Sequence, residues 1–321
     1  MSLVRWGIVG CGDVAEKKGG PALYQAEGSE LIAVMRRDLT KAEDFARRHG
    51  AKRAYNTTEA LLADPEIDAV YIATPPHLHC QQTLQAAAAG KHVLVEKPMA
   101  LSVAEGEQIM ALSVAEGEQM IAACKAHSVS LHVAYYRRYW PKFQAIKAAL
   151  EAGELGTVLG ARLQLCTLAP ASGWRVDPAI SGGGHVVDVG SHRLDMLCFL
   201  LGDITEVHGF AANRLAHHSA ENDTVFSLRF ASGVLASACF HFHTRPSRDI
   251  LEIFGSDGTL TCDPFDGAAF TINGEERRFE TPTPTHLPFV QALVRGEPGH
   301  VTGEEGLKVT RLLEAVMRNK I

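Results

Sequence analysis

Four groups of residues in this chain have types and spacings suited to chemistry. They are Glu96-Lys97-Pro98, the pair Asp188 and His192, the turn Gly10-Cys11-Gly12-Asp13-Val14-Ala15, and the adjacent Arg36-Arg37. Lys97 closes the apolar run His92-Val93-Leu94-Val95, which reads as a buried parallel strand. A lysine at the carboxyl end of such a strand points into the crevice of a doubly wound sheet, where ligands gather. Pro98 fixes the backbone beyond it and removes a donor, so the lysine stands on a stiffened support. Asp188 and His192 are four apart and share one face of a helix. Together they can orient a hydroxyl and move a proton near neutral pH. The same spacing also suits the polar face of a surface helix. His185 extends the pattern to H-x-x-D-x-x-x-H, which would also fit metal ligation; no supporting cluster is visible, and we assign no metal.

Gly10-x-Gly12-x-x-Ala15 lies between a strand and a helix. Its glycines permit a tight turn and close approach to a pyrophosphate, and the following helix start offers unpaired N–H groups from Asp13, Val14 and Ala15. An ordinary tight turn is the alternative, made less apt by the β-α-β setting. At the end of the second strand, where NAD-binding chains carry an acidic residue for the ribose 2′-hydroxyl, this sequence has Arg36 and Arg37. Two guanidinium groups suit a 2′-phosphate, so the reading favours NADP(H) over NAD(H). The alternative is a solvated pair before Asp38, an N-cap candidate. Thr74-Pro75-Pro76-His77 ends the fourth strand and forms an extended wall beside the cofactor. His77-Leu78-His79 reads as a helix start rather than a metal site. His241 and His243 share one strand face and are too few for a metal site; a sheet surface or subunit interface suits them better. A redox role for Cys11 has no support in the sequence.

Short strands at 4–9, 31–35, 54–55, 69–73, 92–95 and 129–134 alternate with helices near 14–26, 39–49, 58–63, 77–89 and 113–126. That alternation predicts a parallel sheet covered on both faces, a Rossmann domain over 1–134. Asn56-x-x-Glu59 reads as a capping box. From 135 to 321 the texture changes. Helices near 141–152 and 183–201 surround a strand at 157–166, and strands follow at 204–213, 223–230, 233–243, 249–254 and 258–262. Their close spacing leaves no room for crossover helices, which predicts an open, mostly antiparallel sheet in an α+β domain. Helices near 284–295 and 303–318 close the chain. The fold class is therefore α/β, a doubly wound domain followed by an α+β domain.

Met99–Gln108 recurs as Met110–Gln119, each copy with its own capping box, Ser102-x-x-Glu105 and Ser113-x-x-Glu116. Eleven residues make about three helical turns, so one helix through both copies would keep its face but lengthen by roughly 16 Å. The next strand must still start beside its neighbour. One copy, the first, is expected to leave the packed helix as a loop or a short separate helix.

The 321 residues are 46% hydrophobic and 21% charged, with net charge −6, enough for two domains with large cores. The charge offers nothing to nucleic acid or an anionic membrane. No apolar run is long enough to span a bilayer. A strand starting near Met1 is expected to leave no room for a signal peptide. Seven scattered cysteines without C-x-x-C pairs suggest reduced thiols and a cytoplasmic protein.

Gly10-x-Gly12-x-x-Ala15, Ala73-Thr74-Pro75, Gly90-Lys91-His92-Val93 before Glu96-Lys97-Pro98, and Gly182-Gly183-Gly184 before Asp188-x-x-x-His192 stand in a familiar order. In these motifs the chain resembles the Gfo/Idh/MocA oxidoreductases over essentially its whole length. The resemblance implies a sugar, cyclitol or related polyol substrate whose secondary alcohol or ketone exchanges hydride with NAD(P). It implies Lys97 as the crevice lysine, with Glu96 beside the cofactor, Asp188 as a substrate-positioning carboxylate and His192 as the proton-transfer residue. Gly173-Trp174-Arg175 looks like the segment of 1,5-anhydrofructose reductase-like members in which tryptophan and arginine help bind the sugar. Tyr135-Tyr136-Arg137 falls where members line the substrate pocket. A homo-oligomer, dimer or tetramer, through the C-terminal sheet is also implied. The tandem copy after Pro98 departs from the usual length. Two other readings remain open: a nucleotide-sensing regulator without catalysis, and internal redox with a retained cofactor.

Overall fold

The computed structural model describes residues 3–103, 110–297 and 301–317. Contacts divide them into two compact units. The first holds residues up to Leu101, Ser113–Arg137 and the returning segment Pro282–Lys308; the second is centred on Arg138–Thr281. A single cut at 134/135 therefore misses the return of 282–308. The segment is tied down locally: Gln291 Oε1 accepts from the Glu27 N–H at 2.8 Å, and Lys125 pairs with Glu304 at 2.7 Å.

The first unit is built from β1 (Val4–Val9), α1 (Gly20–Gln25), β2 (Ser29–Met35), α2 (Leu39–His49), β3 (Arg53–Tyr55), α3 (Thr58–Leu62), β4 (Ala69–Ile72), α4 (His79–Ala88) and β5 (His92–Val95). After a ribbon of β6 (Leu101–Val103) and β7 (Met110–Leu112) come α5 (Val114–Ala126) and β8 (Leu131–Val133). The sheet order is β3-β2-β1-β4-β5-β8 and every neighbour is parallel, the Rossmann arrangement. Its central strands are unbroken apolar runs because both faces are covered: all four residues of β4 are buried. Asp38 caps α2 by accepting from the Lys41 N–H at 3.2 Å, and Gly50 closes that helix at φ 74°. The α3 cap is Thr57, which accepts from the Ala60 N–H at 3.2 Å, one residue beyond the expected Asn56.

Among the described residues no helix runs through both repeat copies. Leu101–Val103 of the first copy is a strand, and Ser113 of the second caps α5 by accepting from the Glu116 N–H at 3.1 Å. The expected box at Ser102-x-x-Glu105 reaches outside the described residues.

The second unit contains α6 (Pro141–Glu151), β9 (Val158–Thr167), α7 (Pro178–Ser181), α8 (Ser191–Leu201), β10 (Ile204–Ala212), β11 (Asp223–Phe230), β12 (Leu235–Phe242), β13 (Arg248–Gly255), β14 (Thr259–Cys262), β15 (Ala269–Ile272) and β16 (Glu275–Arg278). Two terminal helices, α9 (Leu287–Val294) and α10 (Gly303–Met317), end the chain. The sheet runs β10-β11-β12-β9-β13-β14-β15-β16 and is antiparallel except where β12 meets β9. β11 shows the period-two pattern of a sheet with one covered face: Thr224, Phe226, Leu228 and Phe230 inward, Val225, Ser227 and Arg229 outward. The last hairpin was not anticipated. It turns on Asn273-Gly274, with φ of 52° and 88°, the left-handed pair that two-residue hairpins demand.

Candidate active site

In the first unit, β1 ends at the glycine turn. Gly10 has φ 92°, and a side chain there would come within 2.7 Å of Thr74 Cγ2, so only glycine fits. At Gly12 a Cβ would meet nothing within 4 Å, so the backbone is open to a close-lying ligand. The Glu16 N–H donates to the Gly12 carbonyl at 2.8 Å as the first helical bond. The N–H groups of Asp13, Val14 and Ala15 before it therefore have no intrahelical acceptor, and no side chain caps this end. An open cradle with a positive helix end fits a pyrophosphate. Cys11 is buried, and burial pushes its thiol up to about 11, which keeps it protonated and unreactive at neutral pH.

Arg36 and Arg37 are exposed at the end of β2. Arg36 Nη1 donates to the Cys11 carbonyl at 3.3 Å, which brings the guanidinium to the glycine turn. Neither arginine has a carboxylate partner among the described residues, whereas Asp38 is committed to Lys41 at 3.2 Å. Thr74 and Pro75 follow β4, and His77 is exposed on a short turn, Pro76–Leu78. His79 opens α4, as expected of a helix start, and is fully buried. Its Nε2 lies 2.9 Å from the Thr74 carbonyl and its Nδ1 3.0 Å from that of Pro98, so one ring touches both loops of this face.

Lys97 is half-buried and its N–H donates to Glu96 Oε2 at 3.2 Å. Glu96 is buried beneath it. Its Oε1 accepts from the Tyr71 hydroxyl at 2.6 Å and lies 3.5 Å from His286 Nε2. Burial alone would raise this carboxyl. His286, the Lys97 charge and the Tyr71 hydroxyl outweigh it and bring the group down to about 2. His286 in turn stacks on Tyr136 at 4.0 Å, and the Arg137 guanidinium lies 5.0 Å above the Tyr136 ring. Sequence reasoning missed Tyr71 and His286. A tyrosine inside an aliphatic strand was a visible sign for the first; nothing local marked the second.

In the second unit, a π turn over Val186–Gly190 precedes α8. Such a bulge re-aims side chains and is frequent at functional sites. The helix is buried along nearly its whole length, which rules out a solvated polar face: His192 is 7% exposed. Its other charges are paired, Asp195 with Arg138 at 2.8 Å and Arg193 with Asp249 and, at 3.2 Å, Asp266. Asp188 accepts from Arg175 Nε at 3.0 Å, and the same guanidinium lies 4.6 Å over the Trp174 ring. Trp174, Arg175, Asp188 and His185 line a cavity of about 630 Å³. His192, one turn on, is not among its lining residues. His185 Nε2 contacts the Pro170 carbonyl at 2.9 Å. Among the described residues no group of three histidine, cysteine, aspartate or glutamate side chains is arranged to hold a metal ion. His241 and His243 do not share a strand face. His241 pairs with Asp223 across the ladder at 2.8 Å, while His243 lies past the strand end at φ 77° with its Nε2 3.3 Å from His218. Among the described residues no helix is long and apolar enough to cross a membrane.

Comparison with known proteins gives the same outline. The profile described as "Oxidoreductase family, NAD-binding Rossmann fold" matches residues 4–123, and that of the "GFO/IDH/MocA C-terminal domain" matches 143–261. The chain is 33% identical to Oxidoreductase P35 of Formosa agariphila, over 98% of each. It is 30% identical to 1,5-anhydro-D-fructose reductase of Ensifer adhaerens, over 80% of this chain and 74% of that one. It is 31% identical to D-xylose 1-dehydrogenase (NADP(+)) 2 of Haloferax volcanii, over 97% and 95%. Among solved structures, the WlbA dehydrogenase from Bordetella pertussis in complex with NADH and UDP-GlcNAcA superposes with a TM-score of 0.82. That match has 27% identity and covers 99% of this chain and 96% of the other. With both domains matched and relatives spanning nearly its whole length, the chain belongs to the Gfo/Idh/MocA family of NAD-binding oxidoreductases.

Proposed function

We propose that the protein is an NADP(H)-preferring dehydrogenase or reductase. Its substrate would be the secondary alcohol or ketone of a sugar, cyclitol or related polyol. The observation that carries the substrate class is Asp188, held by Arg175 at 3.0 Å on a cavity wall beside the exposed Trp174 ring. A carboxylate and a guanidinium suit vicinal hydroxyls, and an indole face suits the apolar face of a pyranose. The relatives named for 1,5-anhydro-D-fructose and D-xylose support the same class. The cofactor preference rests on Arg36 and Arg37, which stand where an acidic residue would hold a 2′-hydroxyl and have no carboxylate partner among the described residues.

Nicotinamide, when bound, supplies the hydride donor or acceptor. In this reading Lys97 hydrogen-bonds the reacting oxygen and polarises it. His192 takes the hydroxyl proton during oxidation and returns one during reduction. Asp188 grips a neighbouring hydroxyl and fixes the reacting carbon's orientation. Gly10, Gly12 and the N–H groups of Asp13, Val14 and Ala15 hold the pyrophosphate, with Thr74, Pro75, His77 and Glu96 beside them.

We further read the protein as a cytoplasmic homo-oligomer, dimer or tetramer, that associates through the C-terminal sheet. Phe210 and Val225 are direct cross-strand partners and are 63% and 53% exposed, an apolar pair on the outer sheet face. Among the described residues the cysteines form no disulfide bridge. The purified protein assayed with NADPH or NADP⁺ against a panel of sugars and cyclitols tests the activity. Turnover of a polyol, stronger with NADP(H) than NAD(H), is expected; turnover of none would overturn the reading.

A further inference from the structure

His286 touches both the carboxylate behind Lys97 and a ring of the expected substrate wall. It is 1% exposed and arrives on the returning segment, within the first unit. Its Nε2 edge lies 3.5 Å from Glu96 Oε1, and its face stacks on Tyr136 at 4.0 Å and 29°. The far side of Glu96 is equally fixed. The Tyr71 hydroxyl donates to the same oxygen, and its ring occupies the space at Gly19 where a Cβ would lie 2.4 Å from it. Glu96 thus sits between a tyrosine braced on the helix after the glycine turn and a histidine braced on Tyr136. Thr285 Oγ1 meets the remaining ring nitrogen at 3.2 Å.

We propose that His286 is a positioning residue with two separable contacts: its Nε2 edge holds the Glu96 carboxylate behind Lys97, and its ring face holds Tyr136. This rests on the reading above, in which Lys97 polarises the reacting oxygen and Tyr136 faces substrate. The first contact acts on the chemical step. A carboxylate fixed at the root of Lys97 sets that lysine's backbone and the field around its charge. The second acts on substrate affinity, because His286 braces the Tyr136 ring and the Arg137 guanidinium rests 5.0 Å over it. The charged and titratable groups around this pair are Tyr71 on β4, Lys97 and His79 near Glu96, and Lys18 and Arg137 near His286. Burial lowers the His286 pKa, and Glu96 draws it back up while Lys18 and Arg137 oppose it.

Two variants separate the contacts in the full-length protein. His286→Phe keeps a ring against Tyr136 and removes the contact with Glu96. It is expected to lower kcat at least about tenfold while substrate KM stays within about threefold. His286→Gln keeps a donor and removes the ring. It is expected to raise substrate KM about fivefold with a smaller change in kcat. A general packing defect would move both constants together in both variants, and that result overturns the proposal. A second readout needs no turnover: the side-chain carboxyl of Glu96 followed by carbon-13 NMR. Its midpoint is expected to rise in His286→Phe towards or above the ordinary glutamate value of about 4.3, and to rise less in His286→Gln, which keeps a donor but not the imidazole's electrostatic pull. An unshifted midpoint in His286→Phe also overturns the proposal. A wild-type protein that turns over no polyol would defeat the reading above, and the titration would still decide this one. Should His286→Phe not fold, His286→Gln decides, since it must raise KM with a smaller change in kcat.

Discussion

Arg36 Nη1 donates to the Cys11 carbonyl oxygen at 3.3 Å, and so the first guanidinium after β2 leans onto the turn between the two glycines. A phosphate on the adenosine ribose would meet Arg36 and Arg37 rather than an acidic side chain. Charge-assisted bonds of this kind are worth about 1.5–3 kcal/mol. Replacing both arginines by alanine is expected to raise the dissociation constant for NADPH by about 10–100-fold. That for NADH should change only a few-fold. Fluorescence titration with both cofactors measures this, and equal losses would remove the arginines from cofactor selection.

Asp188 and Arg175 form a half-exposed ion pair, with side chains 22% and 43% exposed. The pair adds little to stability, about 0–1 kcal/mol. Its expected value lies in holding the carboxylate for a substrate hydroxyl. Asp188→Ala and Arg175→Ala should each raise substrate KM several-fold while thermal stability barely moves. The double variant should lose less than the sum of the two. Additive losses would show that the residues act independently.

His192→Ala is expected to lower turnover by about 10²–10⁴-fold. Cofactor affinity should survive, because the glycine turn and the arginines belong to the other unit. Unchanged turnover would take the proton-transfer role from His192.

Stability in acid should fall in two stages. His132 on β8 is held down to about 4 by burial, with the His92 charge adding to the effect against Glu304. Between its ordinary 6.5 and 4 the unfolded chain binds a proton that the folded chain refuses, so stability declines there as pH falls. The Glu96 carboxyl has a folded value of about 2 against 4.5, so its contribution is present above 4.5 and is lost towards 2. Each is on the order of 3 kcal/mol. Urea midpoints measured across this range should flatten above pH 4.5 in His132→Gln and below it in Glu96→Gln. A wild-type curve with no slope between 6.5 and 4 would contradict the first assignment.

The Rossmann unit was legible because each strand is a short apolar run and each connection carries a helix period. The C-terminal sheet was legible in β11 and β12, where buried positions recur at every second residue. Asn273-Gly274 was a plain hairpin signal that went unread, since the flanking Ala269–Ile272 and Glu275–Arg278 are too short and too polar to stand out. The return of 282–308 to the first unit could not be read at all. Helix periodicity says which face is apolar, not which sheet receives it, and so His286 carried no local mark. The α3 cap slipped by one residue because Asn56 and Thr57 are both good caps and only geometry chooses between them. Lys97, Asp188 and His192 were legible as candidates through spacing and resemblance. The support beneath Lys97 was not, because Tyr71, Glu96 and His286 meet only in three dimensions.

The proposed activity is hydride exchange between a phosphorylated nicotinamide cofactor and a sugar-like alcohol or ketone. Dialysed protein, supplied with NADP⁺ or NADPH and a panel of aldoses, ketoses and cyclitols, tests it through the nicotinamide absorbance. A change is expected with at least one member of the panel, larger than with NAD(H) and lost in His192→Ala. Tight cofactor binding without any substrate-dependent change would contradict it and leave a nucleotide sensor in its place.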